Sequence, residues 1–181
     1  MSASVPILMP SEFEPRIPDL FEREAFRLEL LDEYDAPATR ERVRRFLAGE
    51  PQNLKVRAYW DGLIADARRA GKNMSRVHVV TEPLNDYLRF ELDFYRGSVA
   101  VGEDIGIIPR ADAAVLELPE FDFWLFDGQT AAVMIYGWRG TWLRTVMITD
   151  PSFVADCCRW RDIALSNATP LSAYMTESEV P

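Results

Sequence analysis

The sequence predicts an α/β protein, a single-domain mixed β-sheet flanked by helices. Two observations carry this. Strand-like and helix-like segments alternate through the first half of the chain, then a run of strands leads into a closing helix. That order mixes crossover connections with hairpins. The 181 residues, 48% of them hydrophobic, suffice for one buried core, and neither an internal repeat nor a second domain is visible.

Each element has its own signal. Residues 1–20 carry four prolines and no periodicity, and read as an arm lying over the domain or partly disordered. Phe26, Leu28 and Leu30 alternate with Arg27 and Glu29, which is strand spacing. The stretch "ATRERVRRFLAGE" follows as a helix with Val43, Phe46 and Leu47 on one side and Gly49 as its stop. A second helix, "YWDGLIADARRAGK", aligns Trp60, Leu63, Ile64 and Ala67 and ends at Gly71.

"RVHVVT" is β-branched and reads as a strand. "PLNDYLRFELDFYRG" is a helix apolar almost all round, which predicts cover on more than one side. "EDIGIIP" is a strand, "FDFWLF" and "AAVMIYG" form a hairpin about "DGQT", and "WLRTVMI" adds one more strand. Asp150 and Pro151 cap the last long helix. One domain over 21–174 and a frayed tail over 175–181 complete the reading.

Composition limits the function classes. The formal net charge is −9, which disfavours direct contact with nucleic acid and suits a basic protein surface or a cationic small molecule. Cys157 and Cys158 are adjacent and His78 is the single histidine, so no zinc site is expected. No apolar run approaches the roughly 20 residues of a spanning helix, and the first residues lack a secretion signal. A cytoplasmic protein without membrane contact is the expectation. No G-x-S-x-G elbow, P-loop or G-x-G-x-x-G is present, so no cofactor is expected either.

Several residues nevertheless invite a functional reading. Glu91 falls on the apolar helix face of Leu84, Tyr87, Leu88 and Tyr95, where a bare carboxylate is costly, with Arg76 or Arg110 as the expected partner. Glu120 and Asp122 share a strand face, and with Glu103 and Asp104 they raise the option of a carboxylate cluster, against which solvated rim charges are the plainer expectation. Asp127-Gly128 between apolar strands is a hairpin signal before it is a catalytic aspartate. Trp124 alternates into the core. Trp138 and Trp142 flank a turn beside Arg139, the kind of patch that anchors a partner.

Two resemblances add to this. "FRLELLDEYD", "SRVHVVTEPLNDYLRFEL", "GEDI" and "FDFWLFDG" together resemble domain-of-unknown-function family 6879, an uncharacterised actinobacterial family encoded near helix-turn-helix regulators. More distantly, the element order and the C-terminal half resemble one half-repeat of the phospholipase D superfamily, with its motif H-x-K-x4-D. In that register Asp127 takes the aspartate's place, but Glu120 replaces the histidine and Asp122 the lysine. Acidic groups there repel a phosphate, so the resemblance implies a catalytically inactive phospholipase D-like fold kept for binding.

By fold analogy a site would lie at strand ends carrying Glu82, Glu103, Asp104, Arg110, Asp122 and Trp124. The family resemblance implies a regulatory or ligand-sensing role beside a helix-turn-helix regulator or other protein, and the half-repeat implies a homodimer. An enzyme using Glu91 and Asp122 as acid and base is the alternative, and an acidic, antitoxin-like inhibitor of a basic protein a third.

Overall fold

In the computed structural model, which describes residues 5–51 and 54–178, eight strands form one mixed sheet. They are β1 (Ile7–Leu8), β2 (Glu24–Glu29), β3 (Asn73–Val80), β4 (Asp104–Pro109), β5 (Phe123–Phe126), β6 (Thr130–Tyr136), β7 (Trp142–Ile148) and β8 (Thr169–Pro170). Their order across the sheet is β1-β7-β6-β5-β2-β3-β4-β8. β2, β3 and β4 run parallel because helices connect them, and hairpins make β5, β6 and β7 antiparallel.

The helices are α1 (Pro10–Phe13), α2 (Pro37–Leu47), α3 (Leu54–Arg69), α4 (Asp86–Val101), α5 (Arg110–Ala113), α6 (Pro151–Asn167) and α7 (Leu171–Ser178). The order from β2 to α6 is the one the sequence predicts, apart from the single turn of α5. Of the two options for the N-terminal arm, residues 5–20 take the first and lie over the domain: β1 pairs with β7, and Phe13 and Ile17 are buried. The C-terminus differs from expectation. Residues 175–178 are not frayed but complete α7, whose Tyr174 is buried; residues 179–181 lie outside the described residues. Among the described residues no helix is long and apolar enough to cross a membrane.

Local signals explain the boundaries. Asn85 caps α4 by accepting the Leu88 amide at 2.8 Å, and the helix runs past Gly97 to stop at Gly102, whose φ is 116°. Asp150 accepts the amides of Ser152 and Phe153 at the start of α6. Asp127 and Gly128 both take positive φ, 52° and 64°, the tight hairpin turn their sequence predicts.

The sheet has two unlike faces. Phe26, Leu28, Val77, Val79, Phe123 and Leu125 form a dry face under α6. The opposite face carries Ala25, Arg27 and Glu29 on β2, in register with Met74, Arg76 and His78 on β3. Trp124 sits beside Arg27 across the β2–β5 pair. Buried residues of α1, α3 and the segment before β2 cover one end of this face. Leu88, Leu92 and Tyr95 of α4 pack with α7 over β4 at the other. The remaining sides of α4 are covered as its composition requires: Phe46 of α2 meets Phe90 edge-on, and Arg42 lies over the Phe94 ring.

Candidate functional site

A strand enclosed on both faces cannot leave charged groups in water, so Arg27, Glu29, Arg76 and His78 must satisfy one another. Arg27 donates to one Glu29 oxygen at 2.7 Å. Arg76 donates to the other at 2.8 Å, and its Nε reaches Glu103 at 2.9 Å. The Tyr95 hydroxyl donates to Glu29 at 2.5 Å. Burial alone would raise the Glu29 pKa; Arg27 and Arg76, helped by the Tyr95 hydrogen bond, overcome it and hold the carboxyl well below the usual range. His78 is fully buried, with Nε2 at 2.9 Å from the Leu31 carbonyl and Nδ1 at 3.2 Å from the Tyr95 hydroxyl. Burial lowers its pKa, so it is a neutral structural histidine.

This network floors a cavity of about 400 Å3 between the sheet and α2, α3 and α4. Its walls include six aromatic side chains, Tyr34, Trp60, Tyr87, Phe94, Tyr136 and Trp142. Tyr34 is central, its ring centroid 5.4 Å from Tyr136 and 6.2 Å from Tyr87. Part of the lining comes from where the loop after β2 meets the β6–β7 turn. There the Asp35 amide donates to the Gly140 carbonyl at 3.3 Å, and Gly140 lies so close to Glu33 that a side chain would not fit.

Glu91 faces this cavity from α4. Burial, reinforced by repulsion from Glu29, pushes its pKa up to about 7, against the pull of Arg76, Arg42 and Arg27. Tyr87, one turn earlier on α4, is near enough that, after burial, the Glu91 charge drives its hydroxyl pKa further above the usual value. The partners expected for it are otherwise engaged. Arg76 bonds Glu29 and Glu103, and Arg110 turns to Asp32, Thr81 and the Leu30 and Val79 carbonyls.

The ten residues singled out in the sequence do not gather into one site. Glu91, Glu103 and Trp142 line the cavity. Asp122 lies at its edge, sealed by the Tyr34 hydroxyl at 2.5 Å and the Leu30 amide at 2.9 Å. Burial raises its pKa to about 6, while the Tyr34 hydrogen bond restrains the shift. Trp124 is core, stacked on Phe126. Glu82 accepts from the Tyr174 hydroxyl at 2.6 Å and, with Arg110, sits beyond the far ends of β3 and β4. Asp104 is exposed on a separate groove with Gly106 and Leu171.

Asp127 has a structural task, accepting the amides of Glu22, Arg23 and Glu24 at 2.7–2.9 Å and so tying the hairpin to the start of β2. Trp138 and Trp142 are not an exposed pair. Trp138 is 85% exposed, while Trp142 turns inward, edge-on to Phe13 and donating to Thr145. No group of three or more potential metal ligands occurs among the described residues.

Sequence reasoning missed Arg27, Glu29, Tyr34, Trp60 and Tyr136 as site residues. The available signal was Arg27-x-Glu29 and Arg76-x-His78 in two strands whose connecting helices bury both faces. Charges at the centre of a parallel pair point to an enclosed polar site.

The model of DUF6879, a domain of unknown function, matches residues 11–176. The chain belongs to this family. No curated protein sequence matches the DUF6879 chain. Among solved structures it is similar to Nuc from Salmonella typhimurium, a phospholipase D family member, with TM-score 0.53 and 10% identity over 92% of this chain and 97% of that one. The fold is therefore phospholipase D-like. TrmBL2, an archaeal chromatin protein, gives a TM-score of 0.45 and 12% identity over 93% of this chain and 54% of that one, a likeness too low to speak for this chain.

Proposed function

We propose that this DUF6879 protein is a ligand-sensing domain that holds a small molecule in the cavity above Arg27, Glu29 and Arg76. The observation that carries the reading is a buried polar floor with aromatic side chains in the walls above it, in a half-open cavity of about 400 Å3. That is within the range of roughly 300–1,000 Å3 used for small ligands, with few polar groups placed to orient the guest. A fold stabilised by this sheet alone has no need of charges at its centre, since an apolar substitute is often as stable.

A sensor acts through a partner. A helix-turn-helix regulator is the one the family resemblance suggests, and the net charge of −9 suits a basic protein surface. The reading is tested by melting the protein against a panel of small metabolites, alongside Ser98→Leu, which fills the cavity from α4. At least one compound raises the melting temperature of the parent and not of the variant. If every compound shifts both proteins equally, the cavity is not the binding place.

A second reading, acid–base catalysis, is favoured by one observation: Glu91 stands at about 7, where a carboxyl exchanges protons near neutrality. Its proposed counterpart Asp122 is sealed by Tyr34 and Leu30, which leaves Glu91 to work alone. Turnover abolished by Glu91→Gln without loss of melting temperature would establish it.

A further inference from the structure

We propose that the cavity takes a dipolar guest, a small molecule with an ammonium group at one end and a carboxylate at the other end of an apolar, ring-sized body. This rests on the ligand-binding reading and adds the chemical class. The charges lining the cavity come in equal numbers. Arg27, Arg42 and Arg76 stand with Glu29, Glu91 and Glu103, and Asp35 is paired with Arg40. Equal numbers favour neither a cation nor an anion. The order of the charges along the floor is what selects a guest.

They form a chain. Arg27 donates to Glu29 at 2.7 Å, and Arg76 donates to Glu29 at 2.8 Å and to Glu103 at 2.9 Å. The two inner members are used up: Arg76 serves two carboxylates, and Glu29 accepts from both arginines and from the Tyr95 hydroxyl. The two end members are not. Arg27 Nε, a donor, and Glu103 Oε2, an acceptor, are buried without a hydrogen-bond partner among the described residues. Glu14 and Asp122, the other carboxyls whose charge Arg27 meets, do not close that free N–H.

The floor therefore has a cationic end short of an acceptor and an anionic end short of a donor. Buried polar groups in that state are costly until partnered. A lone ammonium serves the Glu103 end and leaves Arg27 unmet; a lone carboxylate does the reverse. A guest with both groups meets both ends and brings no net charge into a balanced site.

The spacing sets the body between the two groups. Arg27 and Arg76 are in register on neighbouring strands, and Glu103 immediately precedes β4, on the other side of β3. The two ends thus start from backbone two strand spacings apart, roughly 10 Å. An α-amino acid, with both charges on one carbon, is too short to reach both. A para-substituted ring with a hydrogen bond of about 2.9 Å at each end spans the gap. Tyr34 and Tyr136, with centroids 5.4 Å apart, and Trp142 supply ring surface against which such a body packs.

The test is isothermal titration calorimetry at pH 7 with four matched probes: 4-(aminomethyl)benzoate, 4-methylbenzylamine, 4-methylbenzoate and 4-methylbenzyl alcohol. They share one para-substituted ring and are dipolar, cationic, anionic and neutral. The dipolar probe is expected to bind at least about tenfold tighter than each of the others. Glu103→Gln is expected to remove its advantage over 4-methylbenzoate and to keep its advantage over 4-methylbenzylamine. The probe comparison in the parent protein needs no variant, so misfolding of Glu103→Gln does not spoil it. Tighter binding of the amine, the carboxylate or the alcohol, equal binding of all four, or no binding of the dipolar probe overturns the assignment, as does a folded Glu103→Gln protein that keeps both advantages. Those results leave the small-molecule reading standing, to be judged by whether a ligand accompanies the protein from its host.

Discussion

Replacing Glu91 by glutamine is expected to stabilise the protein, and to do so only above acidic pH. In the native state the Glu91 carboxyl is pushed from an ordinary 4.5 to about 7. Between those values the native state holds a proton that the unfolded chain has lost. The residue's contribution is fully present below pH 4.5 and is lost as pH rises through about 7. At about 1.4 kcal/mol per pKa unit, the loss is about 3 kcal/mol. Glutamine keeps the shape and stays neutral at every pH.

The stability difference between variant and parent should therefore be near zero below pH 4.5, climb through the interval and level off above about 7. In a chain of this length, about 3 kcal/mol corresponds to roughly 6–12 °C in melting temperature. Thermal melts of both proteins from pH 4 to 8 measure it. Taking the difference cancels Asp122, whose raised pKa slopes the same way, and Glu29, whose lowered pKa slopes the other. A difference that stays flat with pH, or a variant less stable at pH 8, would refute the assignment of Glu91 as a poorly solvated carboxyl.

Three other outcomes follow from the same contacts. Arg76→Met strands Glu29 and Glu103 without their shared partner and should cost about 3–5 kcal/mol in urea unfolding; a loss under about 1 kcal/mol would mean the network relaxes into solvent. Asp127→Ala deprives three backbone amides of their acceptor and places alanine at φ 52°, for a cost of about 2 kcal/mol, whereas Asp127→Asn, which tolerates that φ, should lose less. Trp138→Ala, at a residue 85% exposed, should change stability by less than about 0.5 kcal/mol and leave ligand binding intact, so a large effect would place Trp138 at a contact not visible in the single chain.

The sheet and its helices were legible because their signals are local. Alternation in "FRLEL", the Asp-Gly turn, the Asp150-Pro151 cap and the glycine stops at Gly49 and Gly71 each act within a few residues, and each appears where it is expected. The overbuilt apolar helix carrying Phe90 and Phe94 likewise has its second cover in α2. The site was less legible because it is made across the sheet. Glu29 meets Arg76 only through the β2–β3 register, and Tyr34 meets Asp122 across 88 positions of sequence. Spacing along one element cannot show such pairs. The choice between the arm's two options was not legible for a related reason: "PSEFEPRIP" has no periodicity, yet Phe13 and Ile17 enter the core because tertiary packing outweighs local pattern.

The central claim, that the cavity above Arg27, Glu29 and Arg76 is occupied in the working protein, is most directly tested by native mass spectrometry of the protein isolated gently from its own host. The account predicts an added mass of a few hundred daltons that is lost on denaturation and absent from Ser98→Leu purified in the same way. A bare parent chain, or an added mass carried equally by parent and variant, would contradict it.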